Sequence, residues 1–489
     1  MNAQWNRLSP KSIVALTMPA LAPYPVTILV MALAGARPAV LALTTLLWVL
    51  GALLLAAAVA VGWYFTKYRV TEERFELRQG ILLRSHRSIP RDRIRSVDLT
   101  AAVHFRLFGL TVLRIGTGEQ GSGATELRLT AVDRQHAEEM RTELLPRTTA
   151  PGTGTPDEEL LARMRPAWFG YSPLTFSSML IVWGAIASAI GSFSDLFTRY
   201  GVWRWLLEEA RLAPVLLAAA VTGLFLATGL IGSLLVNVEM WWDFRLHREA
   251  SALRVLRGLL TSRSISLEQR RMRGVEIAEP LLLRWFGGAR LKAITTGLSE
   301  QHNKKQPESN ALLPPAPRDE AHRVAAVVLR EPGSPLRAEF ARHPRVALRR
   351  RLTWALVPAL VIDAALAALW WRGWLPSTWT AVLTVVVLAS AVAFAVDAYR
   401  NLGHRLAEHY LLVRSGTAVR RTAALQRRGI IGWRIRQSFF QRRAGVATVS
   451  ATTAAGAGIY HVRDVEVGDG VRLADEATPG LLTPFLEQE

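Results

Sequence analysis

The chain contains no cysteine. Disulfides, thiolate nucleophiles and Cys-ligated metals are therefore excluded. Lysine is scarce, occurring only at Lys11, Lys67, Lys292, Lys304 and Lys305, so arginine carries almost all of the positive charge. Acidic residues are in deficit, 39 against 59 basic ones, which leaves a formal net charge of +20. Such charge suits anionic lipid beside a membrane, or a nucleic acid backbone. The ten histidines are scattered without H-E-x-x-H or another ligand spacing, so no metal site is expected. There is no G-x-S-x-G elbow and no Ser, His and Asp arrangement for nucleophilic catalysis. Residues 116–121, GTGEQG, match G-x-G-x-x-G, but they lie between two expected strands and open no helix, so they offer pyrophosphate no site. No cofactor and no catalytic residue are expected; the chain is read as a non-enzyme.

Apolar residues are abundant: they make up half of the 489 residues, and they are clustered. A spanning helix needs about 20 mainly apolar residues. Six stretches qualify, at 13–34, 39–65, 173–193, 212–236, 352–371 and 378–398, and they pair into three hairpins. Pro19, Pro23 and Pro25 are expected to bend the first span. Arg7 and Lys11 precede it as in a signal peptide, but no small-residue cleavage site intervenes before the second run, so a retained anchor is expected. The turns within the hairpins hold only Arg37, Arg199, Arg204, Arg211 and Arg372, while nearly all other basic residues lie between hairpins or at the N-terminus. The positive-inside rule then puts both termini and the intervening domains in the cytoplasm. Trp370, Trp371, Trp374 and Trp379 flank the third turn, as interfacial anchors do. Residues 196–207, with Trp203 and Trp205, are expected along the membrane surface. Asp363 falls inside the fifth span and is the candidate intramembrane polar site. Asp397, near the cytoplasmic end of the sixth, needs no special role.

After each hairpin the same pattern returns. Gly80 with Gly109, Gly258 with Gly287 and Gly416 with Gly445 are equally spaced. Between them Ile89, Leu267 and Leu425 coincide without a gap, as do Ile94, Met272 and Ile430, and Arg106, Arg284 and Arg442. The chain is thus a membrane hairpin plus a soluble domain, three times over. In the first copy, short alternating segments predict antiparallel strands, and Asp133 is expected to cap a helix reaching Leu145. In the second, Asp319 is expected to cap the closing helix and 300–317 to be a mobile insertion. The third is expected to be degenerate, with a loose turn at TTAAGAG and a weak closing helix. Residues 146–166 and 331–345, rich in Pro, Gly and charge, are expected as flexible tethers.

The hairpin followed by "IPRDRIRSVDL…RLFGL" resembles the membrane-flanked bacterial pleckstrin-homology-like (PH-like) domain family, and within it the multi-copy, YdbT-like membrane proteins. The resemblance covers nearly the whole chain. It implies a multi-pass α-helical membrane protein with six transmembrane helices and three cytoplasmic PH-like β-barrels, each capped by a C-terminal helix. The hairpins are placed at 13–65, 172–236 and 352–398. The PH-like domains are placed at 67–146, 240–330 and 400–489, with linkers at 147–170 and 331–350. The resemblance supplies no catalytic residue.

In register, the copies carry Arg91, Arg93 and Arg95, then Arg270, Arg271 and Arg273, then Arg427 and Arg428, followed by Arg434 and Arg436. Arginine suits phosphate because its planar fork binds two oxygens at once. These residues are the candidate headgroup or partner surface, against the alternative of a solvated strand edge that discourages sheet pairing. The expected function is contact with partner proteins or the anionic inner leaflet, in bacterial cell-envelope maintenance or stress. The expected partners are membrane lipids and another membrane-flanked PH-like protein, or a second copy through the hairpins, and not nucleic acid. The alternative is a transporter or export component with a pathway between hairpins that involves Asp363.

Overall fold

A computed structural model describes the chain except for residues 1–4, 81–83, 92–93, 95, 117–126, 145–158, 251, 297–307 and 482–489. The chain divides into two compact units, Met1–Arg270 and Arg271–Glu489.

In the first unit, β1 (Asn6–Arg7), β2 (Lys67–Val70), β3 (Arg74–Gln79) and β4 (Ser85–Pro90) form one antiparallel sheet in that order. Seven more strands follow: β5 (Ser96–Ala101), β6 (Leu110–Gly116), β7 (Leu127–Asp133), β8 (Glu159–Arg163), β9 (Arg245–Arg248), β10 (Ala252–Arg257) and β11 (Ser262–Glu268). They make one sheet, in the order β7-β6-β5-β11-β10-β9-β8. The second unit repeats the arrangement with β12 (Met272–Pro280), β13 (Gly288–Thr295), β14 (Ala311–Pro317), β15 (Gly403–Leu406), β16 (Tyr410–Ser415) and β17 (Val419–Gln426), ordered β14-β13-β12-β17-β16-β15. A last sheet holds β18 (Gly432–Arg436), β19 (Val446–Thr452) and β20 (Ile459–Glu466).

The expected closed barrels are therefore corrected: among the described residues every sheet is open. A strand that would have to close its own repeat pairs instead with the following one, β5 with β11 and β12 with β17. Both seams have the same register, with Ser262 opposite Ala101 and, at the equivalent positions, Arg420 opposite Glu279.

The repeated glycines have a backbone reason. Gly258 and Gly416 turn hairpins at φ 111° and 115°, where a Cβ would stand 2.0 Å from the carbonyl oxygens of Thr261 and Val419. Gly109, Gly287 and Gly445 adopt left-handed conformations that end the short helices Val103–Leu107, Leu281–Trp285 and Phe439–Arg443. The core of the first repeat gathers Phe75, Leu77, Ile89, Val97, Leu113, Leu127 and Leu129, and is closed by Ala137, Met140 and Leu144 of the helix Arg134–Leu144. Burying each large side chain contributes roughly 1.5–3 kcal/mol. In the third repeat Leu411, Val413, Leu425, Val449, Val462 and Val465 are closed by Leu473, Ala474 and Ala477. That helix, Val467–Ala477, is as long as the first repeat's, and Thr453 N–H donates to Gly458 O at 2.8 Å across the TTAAGAG turn. The expected degeneracy does not extend to the fold.

Among the described residues, five helices are long and apolar enough to cross a membrane: Lys11–Leu33, which is broken near Pro23, and Pro38–Phe65, Pro214–Trp241, Arg345–Trp371 and Ser377–Arg400. The expected sixth is different. Helix Phe176–Ser192 has 17 residues, about 26 Å at 1.5 Å per residue, short of a ~30 Å hydrocarbon core. It reaches spanning length only with the 3-10 helix Pro166–Leu174, and the two are bent by 65° at their junction. Residues 196–207, expected along the membrane surface, fall within the short helices Ser194–Arg199 and Val202–Leu212.

The strand before each hairpin pairs with the first strand after it. Asn6 lies opposite Tyr68 and Leu160 opposite His247, and Ala341 bridges His404. The two ends of each hairpin are thereby held side by side. Of the expected tethers, 146–158 lies outside the described residues and 159–163 is a sheet strand, while in 331–345 Leu336 and His343 are buried. Two smaller expectations also change. Asp319 makes no cap; it lies inside the first turn of helix Arg318–Leu329, paired with Arg337. Of the expected insertion, 311–317 is β14, and 300–307 lies outside the described residues.

Candidate functional site

The repeat arginines divide by what they touch. Arg91 donates to the carbonyl of Glu143, and Arg427, at the equivalent position, to Ala477 O at 2.9 Å and to Glu476 O. Both cap the last turn of a closing helix, where unpaired carbonyls and the helix dipole favour a cation. Arg270 and Arg428 are exposed, whereas Arg271 and Arg273 are half-buried, Arg273 lying against Gly429. Arg93 and Arg95 lie outside the described residues, as does most of GTGEQG.

The motif arginines join neighbouring repeats. Arg106 donates to the carbonyl of Leu259 in the second repeat's hairpin turn. Glu239, from the end of helix Pro214–Trp241, accepts the N–H groups of Leu260 and Thr261 in that turn at 2.8 and 2.9 Å. Arg284 reaches Asp397 Oδ1 at 2.6 Å, at the end of helix Ser377–Arg400, and Asn401 Nδ2 donates to Asp397 Oδ2 at 2.9 Å. Asp397, expected to have no role, is therefore a tie point. Glu239 and Asp397 stand the same distance before Gly258 and Gly416, a signal legible in the sequence that was missed. Arg442, the equivalent residue of the third repeat, is exposed.

The strongest concentration of unspent charge is in the third repeat. Helix Arg345–Trp371 begins with an arginine run, and Arg350 and Arg351 both pair with Asp464, the latter at 2.9 Å. Asp464 is fully buried at φ 59°, and its Oδ1 also accepts from Gln441 Nε2 at 2.9 Å. These residues form one wall of a cavity of about 460 Å³, and Arg434, Arg436, His461 and Arg463 form another. Five arginines thus surround one carboxylate. Burial, then Arg463 and Arg434, push His461 down, so it stays neutral and bonds Ser450 Oγ at 2.8 Å. A bound anion would offset the like charge that these five arginines bring together. Arg434 and Arg436 were legible as candidates, but Arg350 and Arg351 were read only as topology signals and Arg463 was not singled out.

Asp363 lies in helix Arg345–Trp371, and neither carboxylate oxygen has a hydrogen-bond partner among the described residues. No cluster of three metal-ligating side chains occurs among the described residues.

The bacterial PH domain family matches three times, over residues 17–148, 210–332 and 355–477. The chain belongs to the bacterial PH domain family. Each match takes in apolar helix as well as strand, and each begins after the residues that pair from the N-terminal side of its hairpin. The chain is also 21% identical over 436 residues to the UPF0699 transmembrane protein YdbT of Bacillus subtilis (strain 168), covering 85% of this chain and 84% of that protein. No solved structure matches. A transmembrane protein with three bacterial PH domains is the identity that these similarities establish.

Proposed function

We propose that this is a non-enzymatic protein of the bacterial cell membrane that keeps both termini and all three PH-like repeats in the cytoplasm. In this reading the third repeat's cavity holds the phosphate of an anionic lipid headgroup, as a contact point in envelope maintenance. The observation that carries it is the excess of arginine over carboxylate in a cavity formed partly by the first turns of a membrane helix. The clustering of basic residues outside the hairpin turns supports the cytoplasmic placement.

The test uses the full chain in neutral-lipid nanodiscs, titrated with short-chain phosphatidylglycerol, phosphatidylcholine or inorganic phosphate. Each basic residue near an anionic surface contributes about 1 kcal/mol. Replacing Arg434 and Arg436 by Glu should therefore weaken phosphatidylglycerol binding about thirtyfold or more. Arg427→Ala, which removes bonds to the backbone carbonyls of Glu408, Glu476 and Ala477 and none to the cavity, should leave it unchanged. Equal affinity of the double variant and the wild type would sink the headgroup reading, and binding of phosphate alone would point to a soluble anion.

A second reading rests on Asp363, whose oxygens are shielded and unpartnered at membrane depth. It assigns the third hairpin to a cation or proton pathway. Asp363→Asn would then abolish ion flux into proteoliposomes, and an unchanged flux would remove this reading.

A further inference from the structure

Each seam joins a strand that opens the second sheet of one repeat, β5 or β12, to the third hairpin strand of the next, β11 or β17. The first of the pair carries a carboxylate at one fixed position, Asp98 in β5 and Glu276 in β12. Across the second seam Glu279 accepts from Arg420 Nε at 2.7 Å and Nη2 at 2.6 Å, and Arg421 approaches Glu276 at 4.0 Å. At the second seam one strand is thus acidic and its neighbour basic, and at the first Asp98 faces a strand whose arginine is Arg263.

Three repeats leave two edges over. β4 is the counterpart of β11 and β17, and β18 the counterpart of β5 and β12; among the described residues each ends its sheet. β4 remains basic: Arg87 is exposed in it, and Arg84, just before it at the position of Arg420, is exposed too. β18 has changed sign, with Arg434 where Asp98 and Glu276 stand. Transferring the seam register to a second copy of this chain would put its Arg87 directly opposite Arg434, and its Ser85 opposite Arg436. Like charges directly opposite are destabilising. Head-to-tail pairing of identical chains is thereby opposed, which prevents open-ended filaments.

We propose that the free edge of β4 docks the acid-bearing edge strand of a PH-like repeat from a separate chain, in the register of the two internal seams. This rests on reading the repeats as contact modules, but not on the lipid cavity. Arg87 would meet the partner's carboxylate at the position of Asp98 and Glu276, while an apolar strand would leave Arg87 buried and unpaired. The same arginine therefore admits an acidic strand and rejects others.

The absence of cysteine allows a test with this chain alone. Arg434→Asp gives β18 the acidic character that β4 should accept, so the variant is expected to self-associate at least tenfold more tightly than the wild type in neutral detergent. Adding Arg87→Asp should reverse the gain, whereas Arg436→Asp alone should not produce it. In the Arg434→Asp background, Arg436→Cys should form a disulfide with Ser85→Cys of a second molecule and not with His86→Cys, one residue out of register. An Arg434→Asp chain that melts like the wild type yet stays monomeric would overturn the proposal. So would equal crosslinking at positions 85 and 86. No anionic lipid is present, so failure here is separate from failure of the headgroup reading.

Discussion

Asp464→Asn should move stability and lipid affinity in opposite directions. Asp464 is fully buried and holds Arg350, Arg351 and Gln441, so it ties the start of the third hairpin to the third repeat. Breaking a buried ion pair by removing one partner costs about 3–5 kcal/mol. The two arginine side chains are 21% and 23% exposed and keep part of their hydration, which sets the expected loss near the low end, ~3 kcal/mol. For a folding unit of this size that is a fall of about 6–12 °C in Tm. Asparagine tolerates the left-handed backbone at this position and retains one acceptor oxygen, so the loss reports the charge. Alanine would add roughly 1 kcal/mol of strain. The cavity, however, gains net positive charge, so phosphatidylglycerol should bind more tightly as the protein becomes less stable. Melting curves in detergent and titration in nanodiscs measure the two effects separately. A variant that melts like the wild type, or that loses affinity along with stability, would refute the assignment of Asp464 as the counter-charge.

Gly274→Ala should open the second seam, because a Cβ there would lie 1.8 Å from the carbonyl oxygen of Ala424. A loss of about 3 kcal/mol or more is expected, with faster amide exchange in β12 and β17 together; Gly109→Ala, which meets nothing within 4 Å, should cost only about 1 kcal/mol through its positive φ. Stability should also fall with acidity. Burial, followed by the nearby Arg318 and Arg337, lowers the His322 pKa to about 4, and burial, followed by His343, does the same for His404. The unfolded chain therefore takes up these protons first, and stability is lost as pH falls from about 6.5 to about 4. For His322, which is 5% exposed, the full effect is on the order of 3 kcal/mol. Replacing both histidines by Gln should flatten the acid limb of a Tm-against-pH curve, and an unaltered limb would contradict the assignment.

The triple repeat was legible because glycine at positive φ leaves a mark that survives sequence drift, and the hairpins because apolar length is unambiguous. The open sheets were not legible. Ser262 and Arg420 look like ordinary strand residues until their partners across the seam are known, and periodicity does not say which chain segment a strand edge will meet. The strands before the hairpins were hidden for a related reason: Asn6–Arg7 and Ala341 are too short to show alternation. Among the candidate arginines, sequence could not separate Arg427, which is committed to helix carbonyls, from Arg434, which lines the cavity. Both belong to one basic cluster, and only three-dimensional neighbours distinguish a spent charge from an available one.

The pairing of a strand before each hairpin with one after it makes assembly order-dependent. β1 is synthesised well before β2, and in the proposed topology the two can zip together only when the intervening helices have entered and returned across the bilayer. Misinsertion of a hairpin would strand its two ends on opposite sides and leave the edge unpaired, exposed to quality-control proteases. In the proposed topology, pairing at the base of each hairpin would follow only correct insertion of that hairpin.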